Sequence, residues 1–113
     1  NGALRQNGSY INGKRYSLWF TYFKNGILAS REYYRFGKAN GVSEFYYKNG
    51  ALRSKGIYTN GERNGVSEFY YETGALESRG IYTNGKRDGV FKTFWEDGSL
   101  RSTEIWKNGV MQR

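Results

Sequence analysis

The chain has 113 residues, with 18 basic and 10 acidic side chains and a net charge of +8, so one domain with a basic surface field is expected. It contains no cysteine and no histidine, which excludes disulfides, thiol chemistry and histidine-led metal or acid–base sites within these residues and leaves the compartment open. No apolar run approaches the roughly 20 residues that cross a bilayer, and the start at Asn1, without methionine or a signal-like segment, reads equally as a fragment, a processed product or a complete protein.

The chain matches itself at a spacing of 24 residues without gaps, giving repeats at 1–24, 25–48, 49–72, 73–96 and a partial one at 97–113. Second positions are Gly2, Gly26, Gly50, Gly74 and Gly98. Fourth positions are Leu4, Leu28, Leu52, Leu76 and Leu100, and tenth positions are Tyr10, Tyr34, Tyr58, Tyr82 and Trp106. A unit this short cannot enclose its own core, so each must bury apolar area against its neighbours in a linear stack. Proline is absent, and the segments between glycines are rich in tyrosine, phenylalanine, valine and isoleucine, which favours strands over helices. The expected fold is all-β: a linear stack of antiparallel hairpins in an elongated, twisted single-layer sheet of about nine strands. Five strands begin at the repeated leucine, and four end at "YF", "FYY", "FYY" and "TFW".

The first turn of each unit, such as Asn49–Gly50, is read as a two-residue type I′ loop. That register sets Glu44 opposite Lys55, Tyr46 opposite Arg53 and Tyr47 opposite Leu52. One period later it sets Glu68 opposite Arg79, Tyr71 opposite Leu76 and Val66 opposite Ile81. Opposite charges and apolar pairs each favour the sheet by roughly 0.2–1 kcal/mol, and a one-residue slip loses them. One face then carries the leucines, the tenth-position aromatics, Phe45, Tyr47, Phe69 and Tyr71, and is the better packed. The other carries Tyr46, Glu44 and Lys55, with an apolar patch at Val42 and Ile57. The second turn, "TNGERNG" at 59–65 and "TNGKRDG" at 83–89, is expected to be longer and polar. It lacks the spacing of a phosphate-binding loop.

The stretches "GALRSKGIYTNGERNGVSEFYYETG" and "GALESRGIYTNGKRDGVFKTFWEDG", and more loosely "GILASREYYRFGKANGVSEFYYKNG", resemble the variant MORN repeat of bacterial proteins, over nearly the whole chain. Many proteins with that repeat are described as antitoxin components of toxin–antitoxin systems. The resemblance implies stacked hairpins and a non-enzymatic scaffold that binds a protein or, as often proposed for eukaryotic relatives, acidic lipids. It supplies no catalytic residues and no cofactor.

Two departures mark the first two repeats. Tyr16 and Ser17 replace the usual "NG" or "DG", and Phe36 stands where the other units have asparagine. Most of the excess charge also lies there: residues 1–24 have four basic and no acidic side chains, and 25–48 have four basic and two acidic ones. The register sets Phe20 opposite Arg31, where later repeats have opposite charges, and Trp19 opposite Glu32, where later repeats pair Ser43 with Gly56 and Ser67 with Gly80. The candidate partner-binding surface is therefore Trp19, Phe20, Arg31, Tyr33, Arg35 and Phe36. The alternative is an anion-binding stripe at the second turns, Lys14, Arg15, Lys38, Arg63, Lys86 and Arg87, for acidic lipid or, with less support, nucleic acid. The carboxylates sit in register pairs or turns, and an open sheet offers no cleft for paired-acid catalysis. Self-association through exposed sheet edges is a further expectation.

Overall fold

A computed structural model describes residues 5–113, and Gly2 and Leu4 of the first repeat lie outside them. The described residues form eleven strands and no helix: β1 (Arg5–Ile11), β2 (Lys14–Tyr22), β3 (Leu28–Arg35), β4 (Lys38–Tyr46), β5 (Leu52–Thr59), β6 (Glu62–Tyr70), β7 (Leu76–Thr83), β8 (Lys86–Arg87), β9 (Gly89–Phe94), β10 (Leu100–Lys107) and β11 (Val110–Met111). All pair antiparallel in one open sheet in chain order, with β8 on β7, and the molecule measures 46 × 30 × 20 Å. The count exceeds nine for two reasons. Asp88 interrupts one expected strand to give β8 and β9, and β11 adds a short strand beyond Asn108–Gly109.

The first turn differs from the expected type I′ loop. The Gly50 N–H donates to the Tyr47 carbonyl at 2.9 Å, the Tyr47 N–H donates to the Ala51 carbonyl at 2.8 Å, and only Gly50, at φ 92°, is left-handed. This is a three-residue loop, a type I turn closed by a glycine bulge. Its cause is local: Asn49 stays right-handed and its Oδ1 accepts the Ala51 N–H at 2.8 Å, as Asn25 does for Ile27 and Asp97 for Ser99. Tyr46 therefore pairs with Leu52, not with Arg53, and Tyr70 pairs with Leu76. Immediately beyond, Arg53 bulges, and the register returns to Phe45 opposite Ser54, Glu44 opposite Lys55 and Val42 opposite Ile57. Two one-residue irregularities thus cancel, so the expected inner pairs stand although the expected turn does not. The leucines shift to the face that carries Tyr46 and Tyr70, away from Phe45 and Phe69.

The second turn is the true two-residue type I′ loop. Asn60 and Gly61, at φ 50° and 87°, and Asn84 and Gly85, at 51° and 84°, are both left-handed, and Thr59 pairs directly with Glu62. The polar residues after it belong to β6, with a bulge at Asn64–Gly65 where Gly65 takes φ 125°. From Gly37 onward each second turn is tied to the preceding repeat. The Gly61 N–H donates to the Ala39 carbonyl at 2.8 Å, and the Asn60 N–H donates to Asn40 Oδ1 at 3.3 Å. Asn64 holds Asn84, and Asp88 holds Asn108, in the same way. The first turns are tied by Tyr71, whose hydroxyl donates to the Phe94 carbonyl at 2.7 Å. These ties run between units, so burial and hydrogen bonding both make the stack cooperative along its length.

Candidate functional site

The two faces of the sheet have different chemistry. On one, here called the aromatic face, a row runs across the strands through Trp19, Glu32, Ser43, Gly56, Ser67 and Gly80, each opposite the next in the strand register, and continues through Phe91, whose ring lies over Gly80, to Glu104 opposite it. Its glycines are a floor for large side chains. An added Cβ at Gly80 would stand 2.4 Å from the Phe91 ring, and one at Gly56 would stand 2.7 Å from Arg63 Nη1. Trp19 and Phe91 are each 4% exposed, and Ser43 and Ser67 are fully buried.

Arginines complete this face. Arg15 lies over the rings of Trp19 and Tyr34 at 4.2 and 5.3 Å, Arg63 over Tyr58 and Phe69 at 5.2 and 5.0 Å, and Arg87 over Phe91 and Trp106 at 4.8 Å each. Partly desolvated guanidinium–ring contacts of this kind are worth about 0.5–2 kcal/mol each. Arg63 also donates to Ser67 Oγ at 2.9 Å. The column breaks at Ala39, and Ser43 Oγ, the equivalent hydroxyl, has no hydrogen-bond partner among the described residues. Glu32, beside Ser43, occupies the position that Gly56 holds in the next repeat. Burial pushes its carboxyl above the ordinary glutamate value, against the pull of Tyr34, Arg15 and Ser30.

The opposite face, here called the ladder face, has three rows. The middle row alternates in charge through Arg31, Glu44, Lys55, Glu68 and Arg79 and ends on a second cation, Lys92. Arg31 meets Glu44 at 3.3 Å and Arg79 meets Glu68 at 3.2 Å. Tyr46 and Tyr70 donate their hydroxyls to the same two carboxylates at 3.1 and 3.0 Å. Glu44 thus takes Arg31 as its ion partner, on the strand opposite from Lys55. On one side of this row Tyr22, Tyr46, Tyr70 and Phe94 pair with Leu28, Leu52, Leu76 and Leu100. On the other lies an apolar row in which Tyr33, Val42, Ile57, Ile81, Val90 and Ile105 are each 41–55% exposed. A groove of about 750 Å³ opens between these rows at Val66, Leu76, Arg79, Ile81, Val90 and Phe94.

The six candidate partner-binding residues divide among three places. Trp19 is buried on the aromatic face, where its indole N–H donates to the Ser9 carbonyl at 3.0 Å. Phe20, Arg31 and Tyr33 lie on the ladder face, and the Arg31 guanidinium goes to Glu44. Arg35 and Phe36 enter the second turn, where Phe36 is 51% exposed at φ 50°. Tyr16 stands where later repeats have Asn40, Asn64 and Asp88, so the polar tie to the next turn is lost, and its ring instead meets Phe36 at 5.4 Å. Beside that pair, Tyr16, Ser17, Tyr33, Tyr34, Arg35 and Asn40 line a recess of about 350 Å³. Of the candidate anion-binding residues, Arg15, Arg63 and Arg87 are stacked on rings, whereas Lys14, Lys38 and Lys86 line up against the turn glycines Gly37, Gly61 and Gly109. Glu62 takes the same place at Gly85 and interrupts them. Sequence reasoning missed the exposed apolar row beyond Val42 and Ile57; a 24-residue alignment of Tyr33, Ile57, Ile81 and Ile105 carried its signal.

A sequence profile described as MORN repeat variant matches residues 39–60, 63–85 and 87–108. These matches cover more than half of the chain, which belongs to the MORN repeat variant family. Such repeats are non-enzymatic and mediate binding to proteins or membranes. The matched region begins after the Tyr16, Ser17 and Phe36 departures. No curated protein matches the chain.

Proposed function

We propose that this chain is a single repeat domain that binds another protein without catalysis, and that it neutralises a bacterial toxin, in the manner of an antitoxin or immunity protein, by covering the toxin's surface. The observation that supports it most is the corner formed by Tyr16, Tyr33, Arg35 and Phe36. Four of the five type I′ turns use asparagine at the first left-handed position, and the fifth exposes half of a phenylalanine there. A bulky residue in that conformation costs on the order of 1–3 kcal/mol, and the adjoining Ser17, at φ 67°, replaces the bulge glycine of the later repeats. Strain beside exposed aromatics is a feature of recognition surfaces, and the rigid sheet holds these rings in place before a partner arrives, which lowers the entropy lost on binding. Phe20 and Arg31 extend the surface onto the ladder face, and Trp19 supports it from beneath.

The test is capture of partners from the native cell by the intact protein beside Phe36→Asn and Phe20→Ala. Phe36→Asn restores the residue of the other turns, so folding is retained while capture falls. Equal capture by all three proteins overturns the reading. Lysines 14, 38 and 86 support a second reading, association with acidic lipid; binding to phosphatidylserine vesicles that falls steeply with salt and ignores Phe36→Asn favours it instead.

A further inference from the structure

We propose that the ladder face closes on the same face of a second copy of this chain, about a two-fold axis running parallel to the strands between β5 and β6. The inference starts from the apolar row that crosses eight neighbouring strands of the sheet, from Leu18 on β2 to Ile105 on β10, with Leu18 and Val66 half-buried and the other six side chains exposed. Contiguous exposed apolar surface on this scale marks an association site.

The charge order selects the occupant. An alternating ladder is complementary to its own reverse when the two-fold axis falls between rungs of opposite sign. Reversal between β5 and β6 sets Lys55 of one copy against Glu68 of the other, and Glu44 against Arg79. Because the axis lies along the strands, each row meets its own kind. Ile57 falls on Val66, Val42 on Ile81 and Tyr33 on Val90. In the third row every tyrosine or phenylalanine falls on a leucine, as Tyr46 does on Leu76. Two twisted sheets stacked with their strands nearly aligned form an ordinary sandwich about 10 Å apart. Eight strands at about 4.8 Å and three rows of side chains make a face of roughly 40 by 20 Å, about 800 Å² on each copy and about 1,600 Å² over both, which exceeds the roughly 1,000 Å² total that a specific interface needs. One contact opposes the arrangement: Arg31 meets Lys92, like on like.

This association goes beyond the binding of a different protein. It covers Phe20, Arg31 and Tyr33 and leaves Tyr16, Arg35 and Phe36 outside, so the toxin-type partner would bind the monomer and compete with the second copy. Sedimentation velocity of the purified chain over a range of concentrations tests it directly. A dimer is expected, Ile81→Asp makes it monomeric with its melting transition retained, and Lys92→Glu tightens it about tenfold by giving Arg31 an opposite charge. A monomer at every concentration overturns the proposal. So does a dimer that survives Ile81→Asp, which would be joined through strand edges, or one that Lys92→Glu fails to tighten. Partner capture is read separately, through Phe36→Asn, so failure of the dimer and failure of the partner-binding reading are told apart.

Discussion

Arg63 lies across Gly56. Its Nη1 stands 2.7 Å from where a Cβ at position 56 would be, and it donates to Ser67 Oγ at 2.9 Å while its guanidinium faces the rings of Tyr58, Phe69 and Tyr82. The glycine is there because the arginine needs the space above it. At Gly80 the same space is filled by the Phe91 ring.

The two glycines should therefore differ in their tolerance of a methyl group. At Gly56 the obstruction is the end of a flexible side chain, whereas at Gly80 it is a ring that is 4% exposed and held on the sheet. Gly80→Ala is expected to cost about 2–3 kcal/mol, and Gly56→Ala about 1 kcal/mol or less. Urea denaturation of both variants checks the order.

Ser43 and Ser67 are equally buried but differ in their bonding, since Ser67 Oγ has Arg63 and Ser43 Oγ has no partner among the described residues. Ser67→Ala should cost about 1 kcal/mol, and Ser43→Ala should be neutral or stabilising. Ala39→Arg together with Glu32→Gly, which opens the space that Gly56 gives Arg63, should raise stability by about 1 kcal/mol over Glu32→Gly alone by restoring the arginine column and supplying the missing donor to Ser43. Melting temperatures of these variants decide.

Ser17 occupies a left-handed bulge position that Gly41, Gly65 and Gly89 hold in the later repeats, at φ 67° against 123°, 125° and 114°. Ser17→Gly should stabilise by about 1 kcal/mol. Phe36→Asn relieves the strain at its turn but loses the Tyr16 contact, so its stability should stay within about 1 kcal/mol of the parent. A melting temperature for Ser17→Gly below that of the parent would count against strain at this bulge.

Burial raises the Glu32 pKa, so the folded protein holds this proton more tightly than the unfolded chain. The stability that depends on it is complete below the ordinary glutamate pKa and is lost as pH rises through the raised folded value. Glu32→Gln should remove this loss, so its advantage over the parent grows between acid and neutral pH. Asp97 behaves in the opposite sense: the Ser99 hydroxyl and backbone N–H lower its pKa, so its contribution is present above the ordinary aspartate value and lost as pH falls through the lowered one. Stability curves for the parent, Glu32→Gln and Asp97→Asn test the two signs separately, and a Glu32→Gln curve parallel to that of the parent would remove Glu32 from the account.

The repeat, the strand content and the inner register were legible because each is written by side chains that face one another at fixed spacing. Glu44 opposite Lys55 and Glu68 opposite Arg79 follow from charge and alternation alone. The turn chemistry was less legible, since Asn–Gly at 49–50 and at 60–61 is the same dipeptide in two different turns. Only the first folds its asparagine side chain onto the backbone two residues later. The candidate site was partly legible: Phe20, Arg31 and Tyr33 share the ladder face, but Trp19 points to the other side and is covered by Arg15, Tyr10 and Tyr34.

The 24-residue sequence pattern by itself determined an all-β stack, because no single unit can bury its apolar side chains alone and glycine-punctuated, proline-free segments favour strands. Only the tertiary structure decided which surfaces remain available. The loop at Gly50 and the bulge at Arg53 cancel in register yet move the leucines to the ladder face, and arginine–ring stacking withdraws Arg15, Arg63 and Arg87 from the turn edge. Both outcomes depend on side chains from neighbouring strands meeting across the sheet, and that geometry exists only once the strands have paired.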